Sequence, residues 1–311
     1  LDDCLRSGRL YERVSDLESV CTPNYVHYFP RVDKNIQATI QNEIRSIKIG
    51  SFNMFHLGDD QTPLKNMKMM AQIIDHWDVV GSQELMPLPK DWSIANRQID
   101  ELLVDEKGQL KTFPYQNWKV VKPGYLQLLE ALRERDKSWA LIMQATAEGE
   151  GNTGEMAGFY YRSSRIKPKE LSYCPKDLSA DVRGNFPPQN LGCGLQVNPA
   201  DRALMSRLPF VASFQAGHFD FIAISAHLRF HATMDAGDLA EQKKAVCENT
   251  LSAKCKIQKD YIGRFFETLV TAKEMSVLSK IDDDVIFMGD FNLEMKKNNL
   301  SMWKAALRPG P

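Results

Sequence analysis

The stretch that decides the fold runs from Ile47-Lys48-Ile49-Gly50-Ser51-Phe52-Asn53 to Asp78-Val79-Val80-Gly81-Ser82-Gln83-Glu84. Its first seven residues alternate with the period of two that a half-buried strand requires, and the run stops at a polar amide. Turn formers follow at Gly58-Asp59-Asp60, and Thr62-Pro63 then reads as an N-cap with proline at the first helical position. From Leu64 the apolar positions 64, 67, 70, 71, 74 and 77 keep helical spacing, which predicts a helix over about 63–76. Residues 78–83 are a short apolar strand ending at Glu84. Asn53 and Glu84 are thus separated by about 30 residues, the length of a strand, a crossover helix and a parallel strand.

Outward from this unit the same reading continues. Tyr125 to Arg135 is helical by Leu126, Leu128, Leu129 and Leu132, and Trp139 to Thr146 is a strand. A Gly-rich link from Glu148 to Gly154 precedes a strand at 157–161 that ends at Arg162. Strands follow near 210–214 and at 219–226, the latter ending at His227. A long helix spans about 257–280, and the strand 284–288 runs into Gly289-Asp290-Phe291-Asn292. Residues 1–45 read as an N-terminal extension with helical stretches, and 46–311 as one domain with loop-rich insertions near 87–124 and 172–200.

Composition narrows the function classes. Among 311 residues, Lys and Arg total 39 against 40 Asp and Glu, a net charge of −1. That excludes a purely electrostatic nucleic-acid binder, which needs a basic excess, but leaves room for an enzyme with one local positive groove. No apolar run approaches the roughly 18–20 residues of a membrane-spanning helix, so no stable membrane anchor is expected. Six cysteines fall in three local pairs, Cys4 with Cys21, Cys174 with Cys193 and Cys247 with Cys255, without the Cys-x-x-Cys clusters of structural zinc. Local pairing favours disulfides over free thiols, and a secreted or periplasmic home; a chain opening at Leu1 is compatible with a removed leader.

The chemistry is positional. Separate apolar strands end at Asn53, at Glu84, at His227, and at Asp290 with Asn292. Strand ends are where loops open clefts, so these residues can converge on one site. A carboxylate and an amide oxygen are hard ligands suited to Mg²⁺, Mn²⁺ or Ca²⁺, and a histidine beside such an ion can move protons at neutral pH. Together they suit hydrolysis of a phosphate ester. Each element alone is bland: Gly-Asp-x-Asn is good turn chemistry, and Asn53 could simply cap a loop. Asp59 and Asp60 read as a solvated loop, and His56 is left unassigned.

Taken in order, Ser51-Phe52-Asn53, Ser82-Gln83-Glu84, Tyr160-Tyr161-Arg162, Ala226-His227-Leu228 and Gly289-Asp290-Phe291-Asn292 resemble the endonuclease/exonuclease/phosphatase superfamily that includes pancreatic deoxyribonuclease. The resemblance covers about residues 47–295. It implies an α/β fold, a four-layer α/β/β/α sandwich of two mixed β-sheets flanked by helices, with the site at one edge. It further implies Glu84 as principal metal ligand with Asn53 beside it, His227 on the scissile phosphate or as general acid, Asp290 and Asn292 orienting the nucleophile, and Arg162 on substrate phosphate. Ser206-Arg207-Leu208-Pro209-Phe210-Val211 is similar to a segment of the secreted deoxyribonuclease branch. One departure stands out. The family continues past Gly-Asp-x-Asn and closes with an Asp on a strand and a Ser-Asp-His motif, which this sequence lacks; the expectation is a fragment or cleaved form whose sandwich is incomplete at the C-terminus.

The reading that results is a phosphodiesterase dependent on Mg²⁺ or Mn²⁺, with Ca²⁺ admissible, acting as a low-specificity endonuclease on DNA rather than RNA. Two alternatives stay open. One is a sphingomyelinase-like or inositol-phosphate phosphatase of the same fold, for which Trp92, Phe113, Tyr115 and Trp118 would offer a lipid-facing surface. The other is a catalytically inactive scaffold that binds a partner.

Overall fold

The computed structural model describes residues 17–30, 46–57, 65–87, 123–149, 154–175, 190–229 and 259–293. In chain order the strands are β1 (Leu17–Cys21), β2 (Tyr25–Pro30), β3 (Ile49–Leu57), β4 (Val79–Leu85), β5 (Trp139–Gln144), β6 (Met156–Arg162), β7 (Lys167–Lys169), β8 (Gly192–Gly194), β9 (Phe210–Ala216), β10 (Phe219–His227) and β11 (Val285–Asp290). The helices are α1 (Met67–Ile74), α2 (Gly124–Arg135), α3 (Pro199–Leu204) and α4 (Lys259–Leu278).

Two mixed sheets result. The first has six strands in the order β1-β2-β5-β6-β4-β3, and the second five, β11-β10-β9-β7 with β8 also on β9. Only β3 with β4 and β10 with β11 pair in parallel; every other pairing among the described strands is antiparallel. The α1 crossover between β3 and β4 is the unit anticipated from the sequence. The helix itself begins later than expected, at Met67, because the Asn66 side chain accepts from the Met69 amide at 3.0 Å and caps it there.

Period-two alternation builds the layers. In β5, Leu141 and Met143 pack with α1 and α2, whereas Ala140 and Ile142 face the second sheet. In β6, Tyr160 lies on the helix side while Phe159 and Tyr161 lie between the sheets. On the second sheet Phe210, Ala212, Phe221 and Ala223 point to the first sheet, and Val211, Ile222 and Ile224 point outward to Leu278 and Met275 of α4. Three apolar seams therefore separate four layers, helices, sheet, sheet and helix. Gly81 permits close approach of the sheets: a Cβ there would stand 2.6 Å from the Met288 sulfur.

Residues 17–30 correct one expectation. Instead of helical stretches of an extension, they form a hairpin at the edge of the first sheet, with Cys21 opposite Val26 and His27 opposite Ile142 of β5. The cause is pairing at the sheet edge, which buries Leu17, Ser19 and Cys21 in alternation, and the Thr22 hydroxyl accepts from the Tyr25 amide at 3.0 Å to close the turn. Cys174 and Cys193 are joined by a disulfide, and Cys21 is also disulfide-bonded. Cys4, Cys247, Cys255, the insertion between 88 and 122 and residues 176–189 of that near 172–200 lie outside the described residues.

His27 makes the sheet seam sensitive to acid. Burial holds its imidazole down to about 3, and its Nε2 lies 2.5 Å from the Tyr161 hydroxyl. Between pH 6.5 and about 3 the unfolded chain binds a proton that the folded chain refuses, so stability falls as pH falls. The expected slope from this group is about 1.4 kcal/mol per pH unit below pH 6. Urea unfolding at pH 7, 6 and 5 should show it, and His27→Gln should flatten the dependence by that amount. Equal slopes in the two proteins would contradict the assignment.

Candidate active site

Each parallel pair ends its strands side by side, and the two ends meet across the sandwich. In the first sheet Asn53 of β3 is level with Gln83 of β4, one residue before Glu84. In the second, His227 of β10 is level with Asp290 of β11. Gln83 fastens the sheets immediately beneath: its amide donates to the Ser225 hydroxyl at 2.9 Å, and that hydroxyl donates to the Ser82 carbonyl at 3.1 Å.

The side chains then form one hydrogen-bonded group. The Asn53 amide donates to Glu84 Oε1 at 2.8 Å and to Asp290 Oδ2 at 2.9 Å, tying together two carboxylates from different sheets. Its own oxygen accepts from the Phe55 amide at 2.8 Å and keeps a second lone pair. Glu84 Oε2 accepts from the His56 amide at 2.8 Å and lies 3.2 Å from His56 Nε2. Asp290 Oδ1 accepts from the Asn292 amide at 3.0 Å, and the Asn292 side chain donates to the Leu228 carbonyl at 3.0 Å. His227 Nδ1 bonds Glu155 Oε1, and its Nε2 faces Glu84 Oε1 at 3.8 Å. Asn53, Glu84, His227, Asp290 and Asn292 are thus brought to one place.

Backbone strain collects here. The non-glycine residues with positive φ among the described residues are Phe55 (51°), His56 (57°), Glu84 (59°) and Asn292 (48°), and all border the site. Such conformations cost of order 1–3 kcal/mol each and persist where the surroundings over-determine them. Gly289, at φ 148°, lets β11 press against β10: a Cβ there would stand 1.9 Å from the Ala226 carbonyl oxygen, so only glycine can precede Asp290 in this pairing.

Arg162 is the one sequence-predicted residue that is not brought to this group. Strand β6 runs antiparallel to β4, with Tyr161 opposite Val79, so its last residue lies at the far end of the sheet from Glu84, roughly 20 Å away by strand rise. There Arg162 pairs with Asp75 at 2.6 Å and with Asp136, and its guanidinium stacks 4.6 Å from the Trp139 ring. Burial would raise both carboxyls, but for Asp75 the hydrogen bonds of Trp139 and Arg135 with the charge of Arg162, and for Asp136 those of Ser138 with Arg162, outweigh it and hold them below the ordinary range. Arg162→Ala is expected to destabilise the fold by about 2–4 kcal/mol, because it takes the guanidinium partner from Asp136 and leaves Asp75 with Arg135 and Trp139 alone, while activity per folded molecule stays within twofold. A tenfold activity loss at full folding would return Arg162 to the chemistry.

The same antiparallel pairing supplies what strand ends alone missed. Glu155, at the start of β6, lies beside the end of β4 because Met156 is opposite Leu85. It is buried, takes His227 Nδ1 and receives Arg207 Nε at 2.9 Å. One ligand atom each from Glu84, Glu155 and His227 lie within 4.8 Å of one another. The signal was a carboxylate where a strand begins, legible only once its neighbour is known. Lys65 also approaches: burial lowers its ammonium from the ordinary value, with the Glu84 charge opposing.

Fold and site together define an α/β/β/α sandwich with a carboxylate, amide and imidazole cluster where the two sheets meet. No family model matches the sequence, and no curated protein does. Among solved structures the chain is similar to a D. rerio TDP2 humanized by 14 mutations, at 16% identity over 82% of this chain and 69% of that one, TM-score 0.34. It is similar to an endonuclease/exonuclease/phosphatase family protein from Leptotrichia buccalis C-1013-b, at 14% identity over 84% and 72%, TM-score 0.42. A functionally unknown conserved protein from Enterococcus faecalis V583 is similar at 13% identity over 83% and 72%, TM-score 0.40.

Proposed function

We propose that the chain is a divalent-metal-dependent phosphodiesterase, an endonuclease that hydrolyses DNA with low sequence specificity, working in a secreted or periplasmic setting. The observation that carries this reading is the Asn53 amide bridging Glu84 and Asp290 beside the Glu155–His227 pair. The ordered motifs of the sequence support it, and the disulfide supports the compartment.

The residues fit a hard divalent ion. Glu84 and Asp290 bring two carboxylates within reach of a single amide group, so a cation between them relieves like-charge repulsion. Glu84 and Asp290 would hold Mg²⁺ or Mn²⁺, which would neutralise charge on the scissile phosphate, and Asn53 would join them once its amide turns over, since its nitrogen now faces both carboxylates and its oxygen accepts from the Phe55 amide. The protein supplies the rest. Glu155, itself balanced by Arg207, fixes the His227 ring through Nδ1 and leaves Nε2 to hydrogen-bond the phosphate or deliver a proton to the leaving oxygen. Asp290, oriented by the amides of Asn292 and Asn53, would direct the attacking water. Supercoiled plasmid incubated with the chain should be nicked with Mg²⁺ or Mn²⁺ and left intact with EDTA. Nicking unchanged by EDTA would refute metal dependence, and intact plasmid under all conditions would refute the nuclease.

A further inference from the structure

Phe55 and His56 are consecutive left-handed residues at the mouth of the site, a conformation that is a genuine outlier for bulky L side chains. The surroundings hold it from several directions. Lys65 Nζ donates to the Met54 carbonyl at 2.9 Å and to the Phe55 carbonyl, and sits 4.9 Å from the centre of the Phe55 ring. Asn53 accepts the Phe55 amide and Glu84 accepts the His56 amide, each at 2.8 Å. What this strained, latched turn presents is a ring in solvent. Phe55 is 64% exposed, the most exposed large apolar side chain among the described residues. It stacks on His56 with centroids 5.6 Å apart and planes 19° apart. Core packing gives no reason for this placement, since neither ring belongs to any of the three apolar seams.

We propose that the Phe55–His56 turn is a stacking platform for the base of the nucleotide next to the scissile phosphate. The proposal rests on the phosphodiesterase reading of the site and names the chemistry of its neighbouring subsite. His56 touches Glu84 and stacks on the exposed Phe55 ring, so the platform adjoins the carboxylate cluster. A ring held by His56 on one side and contacted by the Lys65 ammonium loses little freedom when a base settles on it, and stacking of this kind tolerates any sequence because every base has a flat face. The low sequence specificity of the proposed activity is consistent with such a platform.

The test is binding, read apart from turnover. Calorimetric titration in Mg²⁺ compares dAMP with deoxyribose 5-phosphate, which shares the phosphate and sugar but carries no base. The wild-type chain should bind dAMP about tenfold more tightly. Phe55→Leu should bring that ratio close to one, and Phe55→Trp, which restores a ring on the same backbone, should retain it, with thermal melting confirming that both variants fold. No preference in the wild type, or a preference unchanged in Phe55→Leu, overturns the platform. Plasmid nicking without base preference sinks the platform and leaves the phosphodiesterase standing. Base preference without hydrolysis of any phosphodiester does the reverse.

Discussion

Glu84→Ala is expected to lower metal-dependent plasmid nicking by at least about 10²-fold, the scale of losing a group that organises charge at a reacting centre. Glu84 is the hub of the cluster: its two oxygens meet the Asn53 amide, the His56 amide and imidazole, and face His227 Nε2. Removing them leaves Asn53 with one carboxylate partner instead of two and takes away the principal oxygen ligand of the proposed ion site. Glu84→Gln separates geometry from charge. It retains an acceptor for the His56 amide, so a comparably large loss would assign the effect to the negative charge. Single-turnover nicking at saturating Mg²⁺, with thermal melting as the folding control, measures both. Activity within threefold of wild type in either variant would remove Glu84 from the chemistry.

His227→Ala is expected to cost at least about 10²-fold for a different reason, the loss of the proton-handling imidazole. The Glu155 bond at Nδ1 leaves Nε2 aimed into the site, and the ring is only 10% exposed, so water does not readily replace it. Glu155→Gln tests the orienting role. It keeps a hydrogen-bonding oxygen for His227 but removes the charge that balances Arg207, and the expected loss is smaller, about 10-fold, as for partners that orient a working group. A Glu155→Gln loss exceeding that of His227→Ala would mean that Glu155 acts on the substrate directly. Full activity of His227→Ala would end the phosphodiester mechanism proposed above.

The fold was legible where chemistry is local. Alternation at the start of β3, the apolar runs of β5, β9 and β10, helical spacing through α2 and α4, and the strand–helix–strand unit ending at Glu84 are readable one segment at a time. The hairpin at 17–30 is not legible in the sequence, because Leu17-Glu18-Ser19-Val20-Cys21 does not alternate in polarity; its alternating burial follows only from pairing at the sheet edge. The start of α1 was misplaced because two capping residues, Thr62 and Asn66, compete in the same stretch, and only the hydrogen bond to Met69 shows which one caps the observed helix.

What the sequence determined by itself was that His227 and Asp290 close their strands and that Glu84 and Asn292 lie within two residues of a strand end, because an apolar run that stops carries its own boundary; β3 runs on past Asn53 to Leu57 through an irregular stretch that the sequence did not show. What only the tertiary structure decided was which strand ends are neighbours. Arg162 and Glu155 occupy opposite ends of the same β6, and nothing local to that strand says which end meets Glu84. The antiparallel pairing of β6 with β4 does, placing Glu155 beside His227 and carrying Arg162 to the Asp75 and Asp136 pair at the far side. Strand direction is set by contacts between segments distant in the chain, through backbone hydrogen bonds that every residue type makes alike, so it leaves little trace in the side chains of either strand.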